Sequence, residues 1–183
     1  MIATVALYSV IAIIMIVLIS AAYAGLSAAP FVPTFQKDVM RMLTLAEVGE
    51  HDIVADLGAG DGRFLIAAAK RFNARGVGYE LSILMYLIAL LRIALSGVRR
   101  TVTVKCSDFY RADLSRYSVI CCFLTPMAMK KLEPKFLKEC RPGTRVVSYA
   151  FRLPNVEPDG MSKPTPTSSP IFLYRIPHPR AMS

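Results

Sequence analysis

The stretch "IVADLGAGDGRFLIAAA", Ile53 to Ala69, sets the tightest limit on how this 183-residue chain can fold. An apolar run ends in an acid and a leucine, passes through a bend with glycine at positions 58, 60 and 62, and enters an alanine-rich segment. A buried strand, a glycine turn and a helix in that order open a β-α-β unit, and the rest of the chain repeats the alternation. Strands are expected at Asp52–Leu57, Gly76–Leu81, Thr101–Cys106, Ser118–Thr125 and Thr144–Phe151, with a closing strand at Ile171–Ile176. Helices are expected over Gln36–Val48, Gly62–Phe72, from a capping Ser82 to Ser96, and over Met127–Cys140. Pro154–Pro170 is turn-rich and lacks periodicity. This pattern is that of an α/β fold, a parallel sheet with helices on both faces. Its ligand belongs over the carboxyl ends of the strands, beside the first one.

The amino-terminal region follows a different rule. No charged side chain occurs from Met1 to Gln36, and Ile2–Ala24 is apolar for about the 20 residues a helix needs to cross a hydrocarbon core. Thr4, Ser9 and Ser20 can return their hydroxyls to backbone carbonyls, and Tyr8 and Tyr23 suit an interfacial position. A cleaved signal peptide competes, because Ala22-Tyr23-Ala24 resembles a small-x-small cleavage site. Against it, the basic leader is missing and the apolar run exceeds a signal core. The expected organisation is a membrane anchor over 1–27, a proline-punctuated linker over 28–35 and a folded domain over 36–183.

All the charge lies in that domain and sums to +9. Lys37 and Arg41 closely follow the anchor, so the positive-inside tendency puts a single-pass protein's domain on the cytoplasmic side. There a basic surface is drawn to anionic lipid of the bilayer. No concentrated basic stripe is present, and no nucleic-acid partner is expected. The cysteines show no CxxC pairing. Cys106, Cys121 and Cys122 fall in expected strands and, with Cys140, read as reduced core residues, so no metal site is expected. Leu81–Gly97 is apolar nearly all round, interrupted only by Arg92. Such a helix is either sunk between sheet and neighbours or rests on a membrane or a membrane partner.

The bend Gly58-Ala59-Gly60-Asp61-Gly62 is spaced G-x-G-x-G, whereas dinucleotide folds prefer G-x-G-x-x-G. No Gly-Lys-Ser/Thr follows, which excludes a Walker-type phosphate loop. Asp56 stands before the glycines and Asp61 lies among them. Two carboxylates repel a pyrophosphate but suit a cation-bearing ligand such as S-adenosylmethionine, with its ammonium and sulfonium. Glu80 ends the second strand about 20 residues further on, where a carboxylate commonly grips ribose hydroxyls. Asp108 follows the third strand and can accept from an adenine amino group, with Phe109 against the ring.

"DLGAGDGR" followed by "GVGYEL" resembles the core of class I S-adenosylmethionine-dependent methyltransferases. A longer resemblance, over roughly Pro30 to Phe151, is to the small membrane-anchored protein-lysine methyltransferases. Mitochondrial members of that family modify the ATP synthase c-subunit and the adenine nucleotide translocase. "VPT" before the first domain helix and "LTP" after the fourth strand are its more discriminating parts. The resemblance implies a Rossmann-like methyltransferase sheet with helices on both faces, preceded by one transmembrane helix. It implies Asp56, Gly58, Gly60, Glu80 and Asp108 around the cofactor, with Val32, Pro33 and Thr34 folded over it; Ala59, Asp61 and Phe109 complete the expected set. The partner it implies is a membrane protein presenting a lysine.

Methyl transfer needs alignment of nucleophile, methyl carbon and sulfur, and a lysine must first lose its proton. The channel edge is expected at Leu124-Thr125-Pro126, with Thr125 and Pro126 as the catalytic-edge residues. Amide and adenine-amino methyltransferases usually carry an Asp or Asn before paired prolines and an aromatic residue there, and this chain has Leu-Thr-Pro instead. Pro126 read alone is a helix start. His51, expected at the far end of the sheet, and His178, in a proline-rich tail, are poor bases. Two rival readings stay open: methylation of a lipid or quinone-like acceptor, and a non-catalytic scaffold that retains the cofactor pocket.

Overall fold

A computed structural model of the chain describes residues 1–27 and 32–177. Part of the expected linker and the tail carrying His178 lie outside the described residues. In chain order the elements are α1 (Ile2–Ser27), α2 (Gln36–Leu45), β1 (Ile53–Leu57), α3 (Arg63–Phe72), β2 (Arg75–Glu80), α4 (Ile83–Leu95) and β3 (Val102–Cys106). Then come a 3-10 turn (Phe109–Arg111), β4 (Val119–Cys122), α5 (Pro126–Glu139), β5 (Arg145–Tyr149), β6 (Gly160–Ser162) and β7 (Ile171–Arg175).

The seven strands form one sheet in the order β3-β2-β1-β4-β5-β7-β6. The order reverses at β1, so β1 and β4 flank the switch point where a crevice opens. Strands β1 to β5 run parallel to one another. The closing strand corrects the expectation of a wholly parallel sheet: β7 runs antiparallel to β5, and β6 pairs antiparallel with β7. The β5–β7 connection returns through β6 with no crossover helix, and β7 pairs antiparallel. The short β6 lies within the segment expected to be wholly irregular.

Helices cover both faces, unequally. On one face α2, α3 and α4 bring Leu43, Leu65 and Ile93 onto Val54, Val104 and Cys121. On the other, α5 packs Met129, Leu132 and Phe136 onto Ile120, Val146 and Tyr174, beside the 3-10 turn. Helix α2 ends earlier than expected, because Ala46 caps it and Glu47 turns into the left-handed region (φ 51°). Cys121, Cys122 and Cys140 are buried, and burial pushes the Cys122 and Cys140 thiols up to about 12. Cys106 departs from the expectation: it ends β3 on the exposed side.

Helix α1 is 26 residues long, and most of its apolar side chains from Ile2 to Tyr23 stand exposed. Its segment Ile2–Gly25 is long and apolar enough to cross a membrane. Ser9 and Ser20 return their hydroxyls to the carbonyls of Val5 and Val17 at 2.9 and 2.8 Å, which removes the cost of those polar groups in an apolar medium.

Candidate active site

At the carboxyl end of β1 the chain turns through Gly58 (φ 85°) and Gly60 (φ 53°), left-handed conformations that glycine adopts without strain. The amides of Gly58 and Ala59 both donate to the Tyr79 carbonyl at 2.9 Å, which clamps the bend against β2. A side chain at Gly78 would meet the Ala59 Cβ at 2.7 Å, so the glycine in "GVG" is what lets the bend lie so close. Glu80, at the end of β2, fixes the same turn. Its Oε2 accepts from the Gly60 amide at 2.8 Å, and its Oε1 from the Ser82 amide at 2.8 Å. Ser82 in turn caps α4, as its position before that helix suggests.

Two acids of this turn have opposite surroundings. Asp56 is buried, and no group among the described residues donates to its carboxylate. Burial, reinforced by the negative charges of Glu80 and Asp61, holds its pKa well above the usual carboxylate range. Burial pushes Asp61 the same way, but its partners outweigh that and hold its pKa below the usual value. Arg63 grips Asp61 with a fork (Nε–Oδ1 2.9 Å, Nη2–Oδ2 2.7 Å), and Arg92 of α4 reaches the same carboxylate. The two aspartates expected to cradle a cationic ligand both line the crevice, but Asp61 is paired with two guanidiniums, whereas Asp56 and Glu80 have no ion pair among the described residues.

These residues wall a cavity of about 970 Å³. That is the upper end of the range of roughly 300–1,000 Å³ for ligand pockets, room for a cofactor and the end of an acceptor. The structure brings together there Pro33, Thr34, Asp56, Gly58, Ala59, Gly60, Asp61, Glu80, Phe109 and Thr125. Asp108 lines an adjoining cavity of about 570 Å³ that shares Tyr79 and Leu81 with the first. Its carboxylate accepts from the Tyr110 amide at 2.8 Å and caps the 3-10 turn. Thr125 also caps a helix, accepting from the Ala128 amide at 3.4 Å, and Pro126 is the first residue of α5, outside the cavity wall. His51 precedes β1 at the other end of the sheet, fully solvated.

Three features of the site escaped the sequence reading. Arg63 ties Asp61 to the strap over the cavity by donating to the Thr34 carbonyl at 2.6 Å. The signal was present in "GDGR", opposite charges two residues apart in a tight turn. Tyr149, packed edge-on against Phe123, donates to Asp38 of α2 at 3.0 Å and so links the far wall to the first domain helix. Ala21, Ala22, Ala24 and Gly25 at the end of α1 also line the cavity, a meeting that sequence periodicity does not encode.

The unpaired buried acid is a group built to meet a cation, and the glycine turn beside it presents backbone to a ligand. That fits S-adenosylmethionine. Residues 56–160 match the model of the ANTKMT methyltransferase domain. The chain belongs to this methyltransferase family. The methyltransferase is 42% identical over 135 residues to a protein-lysine N-methyltransferase of Saccharolobus islandicus, covering 73% of this chain and 84% of the relative. It is 36% identical over 133 residues to the ATP synthase c-subunit lysine N-methyltransferase of Xenopus laevis, 71% of this chain but 57% of that longer relative. Among solved structures it resembles an RNA methyltransferase of Salinibacter ruber in complex with S-adenosyl-L-homocysteine. The TM-score is 0.78 at 35% identity, over 83% of this chain and 98% of that one. A class I S-adenosylmethionine-dependent fold is thus shared by sequence and by architecture.

Proposed function

We propose that this methyltransferase is anchored in a membrane by α1, with its domain on the cytoplasmic side, and N-methylates a lysine on a membrane or membrane-associated protein. The observation that carries the reading is the composition of one cavity wall. The last turns of the apolar helix stand beside Asp56, Gly60 and Glu80, so an acceptor reaches the site along the end of a span. The lysine assignment is supported by the protein-lysine relative from Saccharolobus and by the c-subunit-modifying relative from Xenopus.

In this reading Asp56 takes the ammonium of the cofactor and the Gly58–Gly60 turn its carboxylate. Glu80 takes the ribose hydroxyls; each of its oxygens accepts one amide and has a further lone pair. Phe109 and Asp108 take the adenine, and Val32, Pro33 and Thr34 cover it, held by Arg63. S-adenosylmethionine supplies, when bound, a methyl group on a sulfonium. The chain's own contribution is alignment and the exclusion of water, and alignment alone lowers such barriers by several kcal/mol. Leu124-Thr125-Pro126 carries no ionisable side chain. The acceptor, whose free pKa is about 10.4, then gives its proton to solvent as it enters, and the apolar walls of Phe123, Leu124 and Phe151 favour the neutral amine over the ammonium.

The test is incubation of native membranes with methyl-labelled cofactor and the full chain, followed by separation of protein, lipid and RNA. Label on lysine of a protein, located by mass spectrometry, is the expected result. Label confined to the lipid phase or to RNA overturns the acceptor assignment. Calorimetric binding of the cofactor without transfer to any fraction assigns the chain as a scaffold.

A further inference from the structure

Helix α4 has two apolar faces and buries only one. Ala89 and Ile93 pack on the sheet side. Opposite them Leu84, Leu87, Leu91 and Leu95, spaced three or four residues apart along one stripe, are 48, 53, 61 and 79% exposed. A soluble domain rarely leaves such a continuous stripe in water. The stripe also begins where the span ends. The Ile83 amide donates to Ser20 Oγ of α1 at 3.3 Å, and Leu84 lines the same cavity as Ala21 and Ala22. At about 1.5 Å per residue the 24-residue apolar segment is longer than the roughly 30 Å hydrocarbon core, so its last turns emerge at the headgroups.

Charge flanks the stripe. Arg99 and Arg100 follow α4 and are exposed. Lys105, Arg111 and Arg116 line the cavity that Tyr23 of α1 reaches, in excess over Asp108 and over Asp113, which pairs with Arg116. We infer that α4 lies in the bilayer surface, its leucine stripe among the acyl chains and these basic groups among anionic headgroups, so that the domain is docked on the membrane as well as tethered to it. This rests on the anchored reading of α1. A second copy packing leucine to leucine fits less well, because a 13-residue helix offers under two heptads of seam. An apolar stripe with basic flanks is the pattern of an interfacial helix. The consequence is a cavity mouth held at the membrane plane.

The experiment uses the full chain with Cys106→Ser, which leaves only buried thiols, reconstituted in vesicles of phosphatidylcholine and phosphatidylglycerol. Nitroxides are attached singly at Leu91→Cys, at Ile11→Cys in α1 and at Lys138→Cys on the solvent side of α5. Relaxation by oxygen, which partitions into lipid, is compared with relaxation by a charged nickel chelate, which does not. The oxygen-to-nickel ratios at Leu91 and at Ile11 are both expected to exceed that at Lys138 by about tenfold. Leu84→Gln with Leu95→Gln is expected to bring the Leu91 ratio down towards the Lys138 value. A lipid-exposed Ile11 with a Leu91 that matches Lys138 overturns the docking and leaves the anchor standing. A water-exposed Ile11 overturns the anchor, and the docking with it. A Leu91 label shielded from both reagents and dipolar-coupled to its counterpart assigns the stripe to a second copy and also overturns the proposal.

Discussion

Strand β1 carries a buried acid at each end, and the two have opposite fates. Asp52, just before the strand, is fully engaged: Arg145 pairs with it, Ser118 donates to Oδ1 at 2.7 Å, and the Gly49 amide to Oδ2 at 2.8 Å. Asp56, four residues on, is as buried and has no donor among the described residues. The burial is similar and the purpose differs. At the amino end of the sheet the chain spends its polar groups on itself. At the carboxyl end, where α/β folds bind ligands, it leaves one acid unmatched. No fully buried side-chain oxygen among the described residues lacks a partner, so the Asp56 carboxylate opens on the cavity and is left for a ligand that brings a cation.

The largest expected effect falls on the matched acid. Asp52→Ala strands the Arg145 guanidinium on the carbonyls of Ala46 and Glu47 and should cost about 3–5 kcal/mol of folding stability, read by denaturant unfolding. Cofactor affinity measured calorimetrically should stay as it was. A cost below about 1 kcal/mol would break the comparison. The unmatched acid should behave inversely. Asp56→Asn removes the charge expected to meet the ammonium, with about 100-fold loss of cofactor affinity. The same variant, free of ligand, should unfold no more easily than the wild type. Loss of both affinity and stability in Asp56→Asn would place Asp56 with Asp52, as structural.

How far these roles were legible depends on the distance over which each is written. The order of strands and helices was readable because period and glycine placement are local, and its boundaries shift by only a few residues. The direction of β7 was not, since an uninterrupted buried run such as "IFLY" has the same pattern either way up. Glu80 was legible as a site acid because a β-α-β unit fixes its distance from the glycine turn. The neutralisation of Asp61 was half legible: Arg63 is its near neighbour, but Arg92 lies on an otherwise apolar helix 31 residues away. The apolarity of α4 was plain in the sequence. Which face it buries, and that α1 ends beside it, emerges only when the chain is packed.

The contrast also has a pH signature. Because the Asp56 pKa is raised in the folded, ligand-free protein, this residue's own contribution to stability is fully present below the ordinary carboxylate pKa and is lost as pH rises through the folded value, the reverse of Asp61. Binding runs the other way, since the ammonium requires the ionised form. Affinity should climb with pH, by up to about tenfold per unit, until Asp56 is ionised, and then level off. In Asp56→Asn both trends should flatten. A wild-type affinity independent of pH across the acidic range would mean that Asp56 meets no cation.

The smallest effect extends the comparison to Asp61, the acid of the glycine turn that resembles Asp52 in being matched. Arg63→Ala leaves Asp61 with Arg92 alone and cuts the strap at Thr34 loose from the turn. Asp61 should then titrate at higher pH than in the wild type, visible by carboxylate NMR. Cofactor affinity should fall by about fivefold, less than the roughly 1.5–3 kcal/mol of a charge-assisted bond, because this bond holds a strap that only covers the ligand. Arg63→Lys keeps the charge but cannot fork across both oxygens and reach Thr34 as well, so it should restore the Asp61 titration more completely than the affinity. Equal recovery of the two would mean that Arg63 acts on the cavity through its charge alone, and that the strap is held by something other than this bond.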